Sequence, residues 1–310
     1  MISVIIPNWN GIRLLPTCLD ALRRQTLHGF ETIVVDDGST DGSRELLARD
    51  YPEIRVIALP THRGFAPATN EGIRAARGEI VVLLNNDTEA DPRWLEELSA
   101  ALAADPKAGM AATKLRLFDR RNHLHSAGDY CRINGLPGNR GVWEEDCGQY
   151  DDSSGVFAPC AAAAAYRRTM LDEIGLLDEA LGSYCEDVDL GWRARLAGYA
   201  CAYAPRAIVY HQVSATGGGR IASYYGRRNL IFVLARDYPA ALWKKYWRQV
   251  IRAQLEITGK ALKSWRGEAA RATLRGQIAG LLGLPRWLQR RGEVLRRVTD
   301  AEIEAALVRE

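Results

Sequence analysis

Two stretches of this 310-residue chain place acidic side chains where chemistry is done. Ile80 to Leu84 is a run of five apolar residues that stops at Asn85-Asn86-Asp87. Such a run reads as a strand buried on both faces of a parallel sheet, and a carboxylate at its carboxyl end lies where open α/β sheets bind ligands. Asp87 is too polar to be buried there alone, so a cation or a hydroxyl should meet it. The second stretch is Glu186-Asp187-Val188-Asp189, which opens a segment where Val188, Trp192 and Leu196 recur at helical spacing. The positive end of a helix favours carboxylates, and capping is the plain reading of one of them. Three acids in four residues exceed what a cap needs, and a surplus acid in front of a ligand cleft is suited to act as a general base.

Three further positions carry weaker signals. The loop Asp36-Asp37-Gly38-Ser39-Thr40-Asp41-Gly42-Ser43 suits a nucleoside, because a carboxylate accepts from base N–H or ribose hydroxyls and glycine lets backbone come close. Its plain reading is a polar turn ending in an N-cap. Arg63, just ahead of a helix predicted over residues 66–76, combines a guanidinium with a helix N-terminus, both of which favour an anion such as a diphosphate, while the plain reading of a lone loop arginine is solvation. His211 ends a strand predicted over residues 201–210; it gains a chemical role only if that strand delivers it beside Asp87.

The elements that must position these groups alternate. Ser3 to Pro7 is a short apolar strand, residues 14–25 carry Leu15, Cys18, Leu19 and Leu22 near helical spacing, and Thr32 to Val35 is the next buried strand. A third strand over residues 54–58, the helix over 66–76, the strand at 80–84 and a helix over 93–104 introduced by Asp91-Pro92 continue the alternation. The pattern predicts a doubly wound, mostly parallel α/β sheet. No G-x-G-x-x-G follows the first strand and no Walker phosphate loop occurs. Residues 116–152 lack regular periodicity and read as loops and short antiparallel strands over the ligand site. Residues 159–166, with five successive alanines, fit either a strand or a helix.

Composition supports a folded chain, 47% hydrophobic and 25% charged. Six scattered cysteines without a C-x-x-C pair suggest reduced thiols, with neither a zinc site nor a disulfide framework. The start resembles a strand rather than a signal peptide, and no run of 18 apolar residues occurs, so a cytoplasmic setting is expected. The net charge of +3 conceals an asymmetry. From Ala240 onward 15 Lys and Arg face 7 Asp and Glu, a surplus of eight, which leaves residues 1–239 at −5. The division expected is a binding domain over 1–235 and a basic, aromatic-rich helical region over 236–310. With Trp243, Tyr246, Trp247, Trp265 and Trp287, that region suits an amphipathic surface on the anionic inner face of the plasma membrane; a solvated helical hairpin or a homodimer contact is the competing reading. Gly217 to Gly219 reads as a mobile hinge, and the helix headed by Tyr224 to Asn229 as a contact for donor phosphates or an ordinary basic face. Nucleic acid is not expected, given the acidic body and the lack of recognition motifs.

Taken in order, Pro-Asn-Trp-Asn after the first strand, Asp-Asp-Gly-Ser-Thr-Asp-Gly-Ser after the second, the Arg63 to Ala66 segment with Asn70, Leu-Leu-Asn-Asn-Asp-Thr and Glu-Asp-Val-Asp-Leu-Gly-Trp-Arg resemble family 2 glycosyltransferases. The likeness is to rhamnosyltransferase-like members that build surface polysaccharides, and it covers roughly residues 2–235. It implies a nucleotide-diphospho-sugar transferase fold of the GT-A type and an inverting single displacement onto a saccharide or lipid-linked acceptor. It further implies that Pro7, Trp9 and Asp37 line the nucleoside pocket, that Arg63 lies near the diphosphate and Asn86 near the ribose or sugar, and that Asp87 and His211 bind Mg²⁺ or Mn²⁺. Asp187 matches the base, with Glu186 second to it. Two departures stand out: Asn85 replaces the first acid of the metal motif, and His62 stands where relatives often carry Asn. The alternative from another class is a non-catalytic nucleotide-sugar-binding protein recruited to membranes.

Overall fold

The computed structural model describes every residue except Ser153, Ser154, Ser214, Thr216, Gly217 and Glu310. From the start, strand and helix alternate: β1 (Ile2–Asn8), α1 (Leu15–Arg23), β2 (Glu31–Asp36), α2 (Ser43–Asp50), β3 (Arg55–Ala58), α3 (Phe65–Ala75) and β4 (Ile80–Leu84). Strands β1 and β4 are buried along nearly their whole length, which is why their sequences are continuous apolar runs rather than alternating ones. Helix α1 buries Leu15, Cys18, Leu19 and Leu22, the stripe its spacing predicts. The first four strands are parallel in the order β3-β2-β1-β4. The chain runs outward from β1 to β3, then returns to the other side of β1 as β4. The crevice at the carboxyl ends of β1 and β4 is therefore the switch point at which open sheets hold ligands.

The second half is mixed. It comprises β5 (Thr88–Ala90), α4 (Trp94–Ala104), β6 (Ala108–Leu117), the short β7 (Leu124–Ser126), β8 (Asp129–Cys131) and β9 (Pro137–Asn139), then β10 (Ala163–Arg167), α5 (Arg168–Ile174), α6 (Glu186–Leu196) and β11 (Ala200–His211). The alanine run forms a strand: β10 lies antiparallel between β4 and β6, and Ala163 to Ala165 are buried. Asp91 accepts the Arg93 N–H at 3.0 Å, and α4 begins at Trp94, one residue later than predicted. Among the described residues the main sheet has nine strands, with β11 parallel to β6 and β5 at the edge. Apolar layers cover both faces, one built with α1 and α4, the other with α3 and α6 and the helices that follow.

Those helices are α7 (Gly219–Arg236), α8 (Ala240–Lys263), α9 (Glu268–Gln289) and α10 (Asp300–Ala305). The hinge read at Gly217 begins outside the described residues, and Gly219 opens α7. Residues past 236 pack back onto the body: Trp287 stacks on Phe232 with ring centroids 4.7 Å apart, and Ile303 and Leu307 join the main core. Val308 completes the return. Its N–H donates to the Cys131 carbonyl at 2.9 Å, and its carbonyl accepts from Ile133 at 3.1 Å.

One acid in the Glu186 to Asp189 cluster is structural. Asp189 is fully buried, accepts from Arg193 Nε at 2.9 Å and pairs with Arg236, so it locks α6 to α7. Removing a carboxylate from such a network takes the shared acid from two buried guanidinium groups, leaving Arg236 with Asp178 and Asp237 and Arg193 with the carbonyls of residues 174–176, and breaking a buried pair in this way costs about 3–5 kcal/mol. Asp189→Ala is therefore expected to lower the free energy of unfolding by about that amount. Denaturant titration checks this, and a loss below about 1 kcal/mol, the scale of exposed pairs, would contradict the account.

Candidate active site

The switch-point crevice is floored by amides. Asn86 Nδ2 donates to Asn8 Oδ1 at 2.7 Å, joining the ends of β4 and β1, and Asn8 Nδ2 reaches Asp36 Oδ2 at 3.2 Å. Gly11 packs against this pair so closely that a Cβ there would lie 2.2 Å from Asn8 Oδ1 and 2.3 Å from Asn86 Nδ2. Asp36 is fully buried and bonded to Arg44 Nε at 2.6 Å, so it is a structural acid. Asp37 differs: its oxygens accept the N–H groups of Arg63 and Gly64, both at 2.8 Å, and Oδ2 lies 2.8 Å from His62 Nδ1. His62 in turn stacks on Trp9, centroids 4.0 Å apart, while Trp9 stays half exposed. This supplies a physical role for the departure at His62, which bridges an aromatic platform at the rim to the buried acid. Gly38 makes room for the arrangement, with φ of +74° and His62 N only 2.7 Å from where a Cβ would stand.

The guanidinium of Arg63 does not point into the crevice as a lone cation. It pairs with Glu71 at 3.1 Å and Glu179 at 3.4 Å, while its backbone serves Asp37. Pro7 lies within β1, partly buried, paired in register with Val35.

At the end of β4, Asp87 and His211 are together, as the strand prediction requires: His211 Nε2 is 3.2 Å from Asp87 Oδ1, and both side chains are buried. The other ring nitrogen of His211 lies 3.1 Å from Nδ1 of His125. Burial, and then the nearby His211, push the His125 pKa down to about 3, so His125 stays neutral. An oxygen and an imidazole nitrogen 3.2 Å apart fit neighbouring positions around one divalent cation. The side-chain oxygen of Asn85, two residues earlier, is buried without a hydrogen-bond partner among the described residues, consistent with a polar ligand arriving there.

Asp187 is joined to the end of β4 through residues 161 and 162. Ala161 N–H donates to Asp187 Oδ2 at 3.1 Å, and the adjacent Ala162 carbonyl accepts from Asn85 N–H at 2.9 Å. The loop that delivers it is strained, since Tyr184 and Cys185 have φ of +68° and +63°, a conformation non-glycine residues seldom adopt. Asn229 of α7 pins that loop by donating to the carbonyls of Leu181, Ser183 and Tyr184. Burial raises the Asp187 pKa against the N–H groups of Ala161 and Val188, which hold it down. Glu186 is raised well above the ordinary range, by burial first and by Asp187 second, and its Oε2 has no hydrogen-bond partner among the described residues.

Asp129 is an unpredicted member of the site. Ligand atoms of Asp129, Cys160 and Asp187 lie within 4.8 Å of one another, a cluster separate from Asp87 and His211. Burial, and next the charge of Asp187, raise the Asp129 carboxyl to about 7, opposed by bonds from Ser126 and Asn139. Its only sequence signal is an acid in a region without periodicity, between Gly128 and Tyr130. Asn229 was legible only as part of a polar helix start; its three carbonyl partners come from a segment more than forty residues away.

A model of the family described as Glycosyl transferase family 2 matches residues 3–175. The chain belongs to that family. Pre-mycofactocin glycosyltransferase of Mycobacterium tuberculosis is 29% identical over 215 residues, covering 68% of this chain and 42% of the relative. N-acetylglucosaminyl-diphospho-decaprenol L-rhamnosyltransferase of the same organism is 24% identical over 264 residues, covering 77% and 85%. The chain spans only 17 to 42% of the length of the first curated relatives it matches. Among solved structures, a mannosyltransferase from Pyrobaculum calidifontis in complex with GDP-Man and Mn²⁺ aligns at a TM-score of 0.57 and 19% identity, over 94% of this chain and 84% of that one. The fold is thus GT-A, as the order of motifs implies. No described helix is long and apolar enough to cross a membrane.

The folded chain keeps the Asp129 proton to about neutral pH, whereas the unfolded chain gives it up near the ordinary value of 3.8. Stability contributed at that site is therefore full in acid and falls as pH rises through the interval between those values. Asp129→Asn, which mimics the protonated form, is expected to raise the thermal midpoint by a few degrees at about pH 8 and change it little at about pH 4. Equal shifts at both pH values in calorimetry would rule out a titrating Asp129.

Proposed function

We propose that this protein is an inverting glycosyltransferase that moves a sugar, rhamnose from a dTDP donor or a hexose from a UDP donor, to a hydroxyl of a lipid-linked or oligosaccharide acceptor. The observation that carries the reading is the meeting of Asp87 with His211 at the end of β4, together with the hydrogen bonds by which residues 161 and 162 join Asp187 to Asn85, two residues before Asp87. Family membership and the rhamnosyltransferase relative support the reaction class and the donor sugar.

Trp9 offers a stacking face at the rim for the base, and Asp37 orders the loop 62–64 beneath it. Asn86, fixed by Asn8, would face the ribose or sugar. For Arg63 to reach the diphosphate it must exchange Glu71 and Glu179 for phosphate oxygens, so its engagement would follow donor binding. Asp87 and His211 would hold Mg²⁺ or Mn²⁺, which when bound offsets the charge growing on the departing diphosphate. The acceptor oxygen attacks the anomeric carbon from the face opposite the diphosphate, the bond to phosphate breaks, and the hydroxyl proton passes to Asp187. A carboxylate whose proton affinity is raised by burial is a stronger base than an ordinary aspartate. Glu186, more strongly protonated, is placed to hold the neighbourhood neutral rather than to accept that proton.

Asp187→Asn is expected to reduce transfer from labelled donor by about a hundredfold or more while nucleotide binding persists. In the parent, kcat/KM should fall toward acid as Asp187 takes up a proton, with its midpoint above the ordinary aspartate value of 3.8. Retained transfer in the variant would remove Asp187 from the mechanism, and absence of transfer with every donor tried in the parent would favour a binding protein. Separately, Asp87→Ala should weaken nucleotide binding in the presence of Mn²⁺ and leave metal-free binding unchanged; identical calorimetric affinities with and without Mn²⁺ in the parent would discount a metal role.

A further inference from the structure

Helices α8 and α9 form an antiparallel hairpin whose outer face is covered by nothing among the described residues. One side of α9 lies on α7 through Gly276, Gly280 and Gly283, and Gln277 marks the seam with α8, where it accepts from Thr258 at 3.0 Å and donates to the Gln254 carbonyl at 3.2 Å. At about 100° per residue, the positions beyond Gln254 and Thr258 on α8, turning away from the core, are Trp247, Ile251 and Leu255. Beyond Gln277 on α9, the same turn brings Ile278, Leu281 and Leu282. The two stripes therefore flank the seam on one side of the hairpin, the side away from the core. These six side chains are 41 to 78% exposed, two apolar stripes that together form a strip beside the seam.

Charge decides the occupant. Lys244 and Arg248 border the strip on α8, Arg271 and Arg275 on α9, and the residues from Ala240 onward carry a surplus of eight positive charges. A second copy docked through this face would set two such surpluses against each other. An anionic surface would cancel them, and the pairing of tryptophan with flanking Lys and Arg suits the boundary between headgroups and acyl chains. We propose that the outer face of the α8–α9 hairpin docks on an anionic lipid bilayer, with the strip centred on Ile251, Leu255, Leu281 and Leu282 entering the headgroup boundary. The acidic body, at −5, is then held away from the lipid. This inference rests on the hairpin alone and is independent of the transfer chemistry.

The test is co-sedimentation of the full chain with vesicles of phosphatidylcholine and phosphatidylglycerol, and with phosphatidylcholine alone. The Leu281→Glu, Leu282→Glu double variant alters only exposed positions, and its circular dichroism and thermal midpoint serve as the folding control. The parent should bind the anionic vesicles, release from them as salt rises, and bind neutral ones weakly; the double variant should bind about tenfold less or worse. Equal binding by parent and variant, or equal binding to neutral and anionic vesicles, overturns the proposal. So does self-association of the parent, seen in sedimentation equilibrium and lost in the variant, without vesicle binding, which would assign the face to a second copy.

Discussion

A carboxylate leaves water only when N–H groups or cations replace its hydration, and the whole crevice is shaped by how that demand is met at successive acids. Asp36 and Asp189 are satisfied by guanidinium groups, Arg44 for the first and Arg193 with Arg236 for the second. They are closed networks that hold β2 to α2 and α6 to α7. Asp37 is satisfied largely by backbone, and its reward is the shape of the loop 62–64. Asp87 faces an imidazole, while Asp187, Glu186 and Asp129 have no ion pair of the Asp36 kind among the described residues and are raised in proton affinity by burial. The acids available for chemistry are those that the fold leaves incompletely compensated.

That distinction explains what could and could not be read from the residues alone. The parallel half of the sheet was legible because strands covered on both faces must be continuous apolar runs, and Ile80 to Leu84 shows this plainly. Asp87 follows from where that run ends, whereas His211 closes β11, a strand that is only partly buried, and its role depended on where that strand delivered it. Residues 161–165 were ambiguous because alanine suits a helix by propensity and a crowded strand by size, and only the neighbours β4 and β6 decide between them. Among Glu186, Asp187 and Asp189 the sequence could count a surplus but not assign it, since Arg236 comes from a helix 47 positions further on. Asp129 was invisible for a related reason: its importance lies in proximity to Asp187, which a helix far along the chain supplies, and its own strand is three residues long.

Arg63 and His62 show a second limit. Both were read from their place ahead of α3, yet one guanidinium is held by two glutamates and the imidazole is recruited to Trp9 and Asp37. A loop residue's partners are set by whichever elements surround it, and those elements, here the Glu179 turn and the rim of β1, are remote in sequence. The basic helical region is the opposite case. Its charge and aromatic content were plain, while the division from the body was less sharp than composition suggested, because Trp287, Ile303 and Leu307 belong to the main core.

The stitching of Val308 to Cys131 and Ile133 has a bearing on how the molecule comes into being. Those two residues continue the strand that carries Asp129, so the wall behind that side chain is finished by a segment made almost 180 residues later. On the ribosome, the parallel half of the sheet and its amide floor can close early. The stretch beside the raised carboxyls gains these two backbone hydrogen bonds only once residue 308 has emerged, so its pairing is completed later than that of the parallel strands.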